Sequence, residues 1–87
     1  MIEVRLDSSI ISFDGRVIEA FSNTMEAKRY HVAHVKTAEV PADKKGRHAL
    51  RIMMEGRGGI MTGELPPEAL QQAQQLVAEI EKAKASL

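Results

Sequence analysis

Two different periods of apolar residues divide the chain. Up to about residue 64, apolar and polar residues alternate in short runs, which is the pattern of half-buried β-strands. After Pro66, apolar residues recur at steps of three and four and therefore lie on one face of a helix. This face consists of Leu70, Ala73, Leu76, Val77, Ile80 and Ala83. We therefore expect a series of strands followed by one helix.

The helix is predicted over about residues 67–85. Pro67 suits its first position, where the missing amide hydrogen is not needed. Glu68 near the start and Lys82 and Lys84 near the end complement the helix dipole. We expect the apolar stripe to pack on the protein's own core. A partner-binding face, including a coiled-coil partner helix, is the alternative.

The strands are predicted from alternation and from the turn residues between them. The clearest signal is Asp14-Gly15 between two β-rich runs, which favours a two-residue hairpin because Gly readily takes a positive φ. Pairing outward from this turn places Phe13 opposite Arg16. Ile11 then lies opposite Ile18. The core face of the hairpin is predicted to contain Ile11, Phe13, Ile18 and Ala20.

The predicted strands cover residues 2–6, 10–13, 17–20, 28–32, 35–40, 48–54 and 60–64. They are separated by turns at 7–9 and 22–25, a bend or one helical turn at 33–34, a loop at 41–47 and a Gly-rich tip at 55–59. Successive strands joined by tight turns favour antiparallel neighbours. The expected fold is mainly β with one C-terminal helix, an α+β domain that spans residues 1–87.

Composition narrows the classes of function. The 87 residues suit one domain with a modest core. The sequence has no cysteine, hence no disulfide framework and no thiolate site, and this fits a reducing compartment. It has no apolar run of membrane-spanning length and no signal-peptide core, so we expect a soluble cytoplasmic protein. Three aromatic residues are too few for a platform that stacks single-stranded nucleic acid.

Charge is unevenly distributed although the formal net charge is zero. Residues 28–57 contain eight basic and three acidic residues. This region is either an anion-facing surface or the partner of acidic residues elsewhere in surface ion pairs. The candidate anion-binding residues are Lys44, Lys45, Arg47, Arg51 and Arg57. Nucleic acid or an acidic membrane surface would be the ligand, and a solvated loop is the favoured alternative.

The order of strands and helix resembles the pleckstrin-homology-like fold, and the small bacterial members in particular. Four stretches carry the likeness: the hairpin Ile11–Ile18, the bend Tyr30–Val35, the later strand Leu50–Ile52 and the helix start Glu68–Leu70. The resemblance implies a bent sandwich or partly open barrel of seven strands whose open end is plugged by the helix. It also implies a binding or scaffolding domain, often self-assembling in bacteria.

One departure from that family bears on its ligands. Eukaryotic relatives that bind inositol phosphates carry a basic cluster between the first two strands. The corresponding stretch here is Asp7-Ser8-Ser9, which contains no basic residue. The resemblance therefore does not extend to phosphoinositide binding, and we do not expect this protein to bind phosphoinositides through the loop between its first two strands.

Other candidate chemistry is weak. His31 and His34 have a metal-ligand spacing only on a helix, and His48 could approach either, but no carboxylate stands at a convincing ligand spacing. The Gly-rich tip lacks the Gly-Lys-Ser/Thr ending of a phosphate loop and leads into a strand. No catalytic arrangement, metal site or cofactor site is predicted.

Outward apolar residues favour a protein partner. Met53 and Met54 are adjacent on a strand, so alternation leaves one of them outside the core, and methionine adapts to irregular partners. Ile10 and Val17 fall on the outer face of the first hairpin, diagonally opposed. The candidate interface residues are Ile10, Val17, Met53 and Met61. The leading hypothesis is a non-catalytic binding or scaffold domain, homo-oligomeric or recognising a protein at a sheet edge. The anion-binding module is the alternative.

Overall fold

The computed structural model describes residues 1–22, 27–56 and 58–87 and contains two antiparallel sheets and one long helix. The first sheet has four strands in the order β1-β2-β3-β4, and the second has three in the order β5-β6-β7. The strands are β1 Ile2–Arg5, β2 Ser9–Phe13, β3 Val17–Ser22, β4 Lys28–His31, β5 Val35–Glu39, β6 Arg51–Met54 and β7 Gly59–Met61. Helix α1 is Pro67–Ala85. The predicted mainly β, α+β class is confirmed.

The hairpin between β2 and β3 has a different register from the predicted one. Phe13 pairs with Ile18, and Ile11 pairs with Ala20, so the predicted pairs are wrong by two residues. The central turn residues are Gly15, with φ of +103°, and Arg16. The cause is Asp14, whose carboxylate accepts the N–H groups of Arg16 and Val17, both at 2.8 Å, and so draws the turn one residue further along.

The error in register leaves the predicted core face intact. A shift of two residues returns each side chain to the same side of the sheet. Ile11, Phe13 and Ile18 are buried, and Ala20 is half-buried against the core. The core face of this hairpin is therefore confirmed.

A short 3₁₀ helix, Val32–His34, turns the chain from the first sheet into the second. The Nδ1 atom of His31 accepts the N–H of Ala33 at 3.0 Å and caps it. Val32 donates its N–H to Arg16 O at 2.7 Å, and its side chain is buried. The predicted bend or helical turn is confirmed. The turn predicted at 22–25 falls largely outside the described residues, and Ser22 belongs to β3.

The strands of the second sheet are shorter than predicted. β6 begins at Arg51 and β7 ends at Met61. Residues 48–50 bond elsewhere: Ala49 donates to Pro41 O at 3.1 Å, and Leu50 donates to the hydroxyl of Thr62 at 3.0 Å. Loop and side-chain acceptors thus replace the ladder that alternation alone predicts. The alternation itself is confirmed, since Leu50, Ile52 and Met54 are buried.

The apolar stripe of α1 forms one wall of the core. Ala69, Ala73, Leu76 and Ile80 are buried, and Leu70, Val77 and Ala83 pack partly against the same cluster. The helix packs mainly against β1 and β5. The expectation that the stripe belongs to the protein's own core is therefore confirmed. In the part of the chain that the structure describes, no helix combines the length and apolarity that crossing a membrane requires.

The hairpin turn makes a prediction about pH. The N–H groups of Val17 and Arg16 hold the pKa of the Asp14 carboxyl below its usual range. Because the pKa is lower in the folded state, Asp14 stabilises the fold above its unfolded pKa of about 3.9, and the effect disappears as the pH falls through the folded value. We expect Asp14→Asn to lower the free energy of unfolding near neutral pH. Denaturant titrations should show the difference from the original protein shrinking below about pH 4. A difference that does not change with pH would contradict this role.

Candidate protein-binding site

The two sheets have four edge strands, and α1 packs against two of them. It packs against β1 and β5, and Lys84 Nζ donates to the carbonyl of Lys36 at 3.1 Å. The edges formed by β4 and β7 lie away from these contacts. They approach each other through side chains, because Lys28 Nζ reaches the carbonyl of Gly59 at 3.4 Å. The accessible edges are therefore those of β4 and β7.

The backbone of β7 has one side directed away from its sheet. Met54 donates to Gly58 O at 3.2 Å, Ile52 pairs with Ile60, and Thr62 donates to Leu50 O at 3.0 Å. Because hydrogen-bonding directions alternate along a strand, Gly59 and Met61 direct their N–H and C=O groups away from β6. Among the described residues, only the carbonyl of Gly59 has a partner on this side. An added strand would find the N–H and C=O of Met61 unpaired.

A cleft of about 600 Å³ opens beside this edge. One wall comes from the first sheet and its β1–β2 turn, and the other from β7 and the segment that leads into α1. Its apolar lining is formed by Leu6, Ile11, Ala20, Phe21, Ile60, Met61, Leu65, Pro66 and Pro67. The volume falls within the roughly 300–1,000 Å³ of typical ligand clefts, which is room for several side chains.

The largest exposed apolar residues on strands lie at this cleft. Phe21 is 46% exposed and Met61 is 70% exposed, and both line it. Ile10 is the cross-strand partner of Phe21, and Met53 lies diagonally from Met61 on the outer face of the second sheet. Ile10 and Met53 are half-buried. Of the four predicted interface residues, Met61 thus lines the cleft, whereas Ile10 and Met53 neighbour lining residues across their strands without lining it themselves.

Val17 does not belong to this surface. It pairs with His31 at the other end of β3, and it is half-buried. The predicted diagonal contact between Ile10 and Val17 is wrong, because the actual register sets Ile10 against Phe21 and Arg5. Phe21 was missed as a site residue because the assumed register paired Ile10 with Glu19 instead. The hydrogen bonds of Asp14 set the register that places Phe21 beside Ile10.

The predicted anion-binding residues are spread over a loop and a strand. Asp43 accepts the N–H of Arg47 at 2.9 Å and its Nε at 2.7 Å, and also accepts the N–H of Lys45 at 2.8 Å. The bond from the Arg47 N–H holds the pKa of the Asp43 carboxyl below its usual range, and the Arg47 side chain lowers it further. Arg51 pairs with Glu39, its Nε lying 2.8 Å from the carboxylate.

Arg47 and Arg51, two of the predicted anion-binding residues, are therefore already in ion pairs. Lys44 and Lys45 have exposed side chains on the loop, and Arg57 lies outside the described residues. The structure brings Lys44, Lys45 and Arg47 onto one loop, and places Arg51 at the start of β6. An anion would compete with Asp43 and Glu39 for both guanidinium groups.

The histidines and the Gly-rich tip serve local structure. The rings of His31 and His34 are 6.2 Å apart, and His31 Nδ1 is already an acceptor. His48 lies elsewhere, in an isolated bridge with Ala42. Across the described residues, no three histidine, aspartate or glutamate side chains lie close enough together to hold a metal ion. At the Gly-rich tip, Glu55 donates its N–H to His34 O at 2.7 Å, so this N–H group is not available to a bound anion.

A second cleft, of about 660 Å³, lies at the other end of the molecule. Its charged lining combines Arg16, His31 and Lys82 with Glu79. It also borders the last turn of α1, where the helix dipole disfavours an anion. The end of edge strand β4 borders it at His31, but it lacks the two large exposed apolar strand residues, Phe21 and Met61, that line the cleft beside β7, which is therefore the stronger candidate.

Comparisons of the chain with protein-family models, with curated proteins and with solved structures find no match. The cleft and the edge of β7 are therefore the features from which a function can be inferred.

The position of β7 depends on Gly59. A Cβ at this residue would collide with the carbonyl oxygen of Ile52 on β6. We expect Gly59→Ala to destabilise the protein by about 1–3 kcal/mol, because β7 must move away from its neighbour. Chemical denaturation measures this change. Gly63→Ala is the matched control: no atom lies within 4 Å of its added Cβ, and we expect a change within about 0.5 kcal/mol. Equal losses in the two variants would contradict the close approach.

Proposed function

We propose that this protein is a non-catalytic binding domain that receives an extended polypeptide segment at the outer edge of β7. The observation that carries the proposal is the combination of unpaired backbone groups at Met61 with an apolar cleft directly beside them. A segment that extends the sheet would gain main-chain hydrogen bonds from β7. Its alternate side chains would enter the cleft, which is how strand addition combines affinity with specificity.

The proposal includes a pleckstrin-homology-like fold. The resemblance implies seven antiparallel strands followed by a C-terminal helix, and the two sheets of four and three strands with a helix packed against β1 and β5 support this assignment. The proposal keeps the cytoplasmic location expected from the cysteine-free sequence. Phosphoinositides are not part of it, because Asp7 stands in the β1–β2 turn where a negative charge repels an anionic headgroup.

The apolar mouth of the cleft supports a protein ligand. Phe21 and Met61 come from different sheets, and both present large apolar surface to solvent at the same opening. Aromatic residues and methionine are enriched in protein interfaces. By contrast, Arg47 of the basic loop is paired with Asp43. The loop therefore has fewer positive charges available to an anion than its composition indicates.

Selection of peptides tests the proposed function. Short random peptides displayed on phage would be selected against the immobilised protein. We expect enriched peptides with alternating apolar residues, and we expect Met61→Pro to abolish their binding because it removes the outward N–H and blocks the edge. Met61→Lys keeps the N–H and adds an edge charge, and should also weaken binding. Met61→Leu is the matched control and should retain it.

Circular dichroism would establish that each variant is folded. Two results would overturn the proposal: no enrichment of peptides, or enriched peptides that bind folded Met61→Pro and Met61→Lys as well as the original protein.

Self-association through the same edge is a second candidate, favoured by the exposure of Phe21 and Met61. Two copies whose β7 strands pair would cover both residues and satisfy both edges. Light scattering at increasing protein concentration measures the molecular mass. We expect dimers or larger assemblies at micromolar concentrations, and their loss in a Phe21→Ser, Met61→Lys variant. A strict monomer over this range would contradict self-association. It would not affect the peptide test, which measures binding of a different molecule.

A further inference from the structure

We propose that the segment bound beside β7 carries basic residues next to its apolar core, an inference that rests on the proposed function. In the part of the chain that the structure describes, three charged residues line the cleft: Asp7, Lys28 and Glu64. Two carboxylates and one ammonium group give it a net negative charge. The apolar lining accounts for an apolar segment, and the charges at the rim indicate what should flank it.

Lys28, the one cation among the described residues of the cleft, is directed at the protein itself. Lys28 Nζ donates to the carbonyl of Gly59 at 3.4 Å, so its positive charge is directed at the backbone of β7. This contact holds β4 and β7 together at the inner end of the edge. Because this carbonyl is neutral, Lys28 keeps its charge, and the cleft still has one more carboxylate than it has cations among the described residues.

The backbone around Asp7 and Glu64 is fixed by hydrogen bonds. Asp7 belongs to the tight turn closed by the bond from the N–H of Leu6 to Ser9 O, at 2.8 Å. Glu64 lies between two anchored residues, because Thr62 donates to Leu50 O at 3.0 Å and Leu65 donates to His48 O at 2.7 Å. Both side chains are exposed, and neither has a partner among the described residues.

Asp7 and Glu64 therefore face an incoming segment from both sides of the opening. Asp7 comes from the first sheet, and Glu64 follows β7 on the opposite wall. Lysine or arginine residues at the ends of a bound strand would meet these carboxylates, whereas acidic residues would be repelled. The rim thus selects among apolar segments by charge, and the edge of β7 supplies the binding itself.

The peptide selection described above tests this inference separately from the proposed function. We expect lysine and arginine to be enriched beside the apolar residues of the selected peptides, relative to the unselected library. Replacing those basic residues by glutamine in one selected peptide should weaken its binding roughly two- to thirtyfold, the effect of two largely exposed ion pairs.

The Asp7→Asn, Glu64→Gln double variant is the decisive comparison. Both side chains are exposed, so the fold should be retained. On this variant the basic peptide and its glutamine version should bind equally well. Peptides that need the β7 edge but show no basic enrichment, or that keep their charge preference on the double variant, would overturn the inference and leave the proposed function standing. Peptides that ignore the edge variants would overturn both.

Discussion

The burial of the α1 stripe is the interaction on which the rest of the structure depends. Ala69, Ala73, Leu76 and Ile80 close the space between β1 and β5. Each buried Leu or Ile of this kind contributes about 2–5 kcal/mol when measured by truncation to alanine. That is a large share of the roughly 5–15 kcal/mol that stabilises a typical domain. Two sheets of four and three short strands would otherwise leave this side of the core open to water.

The same packing decides where a ligand can bind. The helix packs against β1 and β5, two of the four edge strands, and Lys84 donates to a carbonyl of β5. The unpaired backbone groups are left on the opposite side, at β7. A fold that places its one helix on one side therefore leaves its binding edge on the other. The proposed function follows from this asymmetry and does not require a catalytic group.

How much of this the sequence predicts depends on the range of each interaction. The helix and its stripe were predicted closely, because a period of three and four residues is a local signal. The face of the β2–β3 hairpin was predicted correctly although its register was wrong, because a shift of two residues preserves the face. The register itself depends on the hydrogen bonds of Asp14, which no pattern of apolar residues reveals. The cleft was not predicted, because Phe21 and Met61 meet only once both sheets are folded.

The pairing of charged residues is also not visible in the sequence. The basic middle of the chain indicated an anion site, yet Arg47 and Arg51 are paired with carboxylates from the same region. Exposed pairs of this kind contribute little to stability, but they reduce the positive field that an approaching anion meets. At the cleft the situation is reversed, since Asp7 and Glu64 form no ion pair with any described residue. The net charge of zero therefore combines a basic region in which Arg47 and Arg51 are paired with an acidic rim whose two carboxylates are not paired. Because the acidic rim borders the edge of β7, its unpaired carboxylates are the charges that a segment bound at this edge would meet.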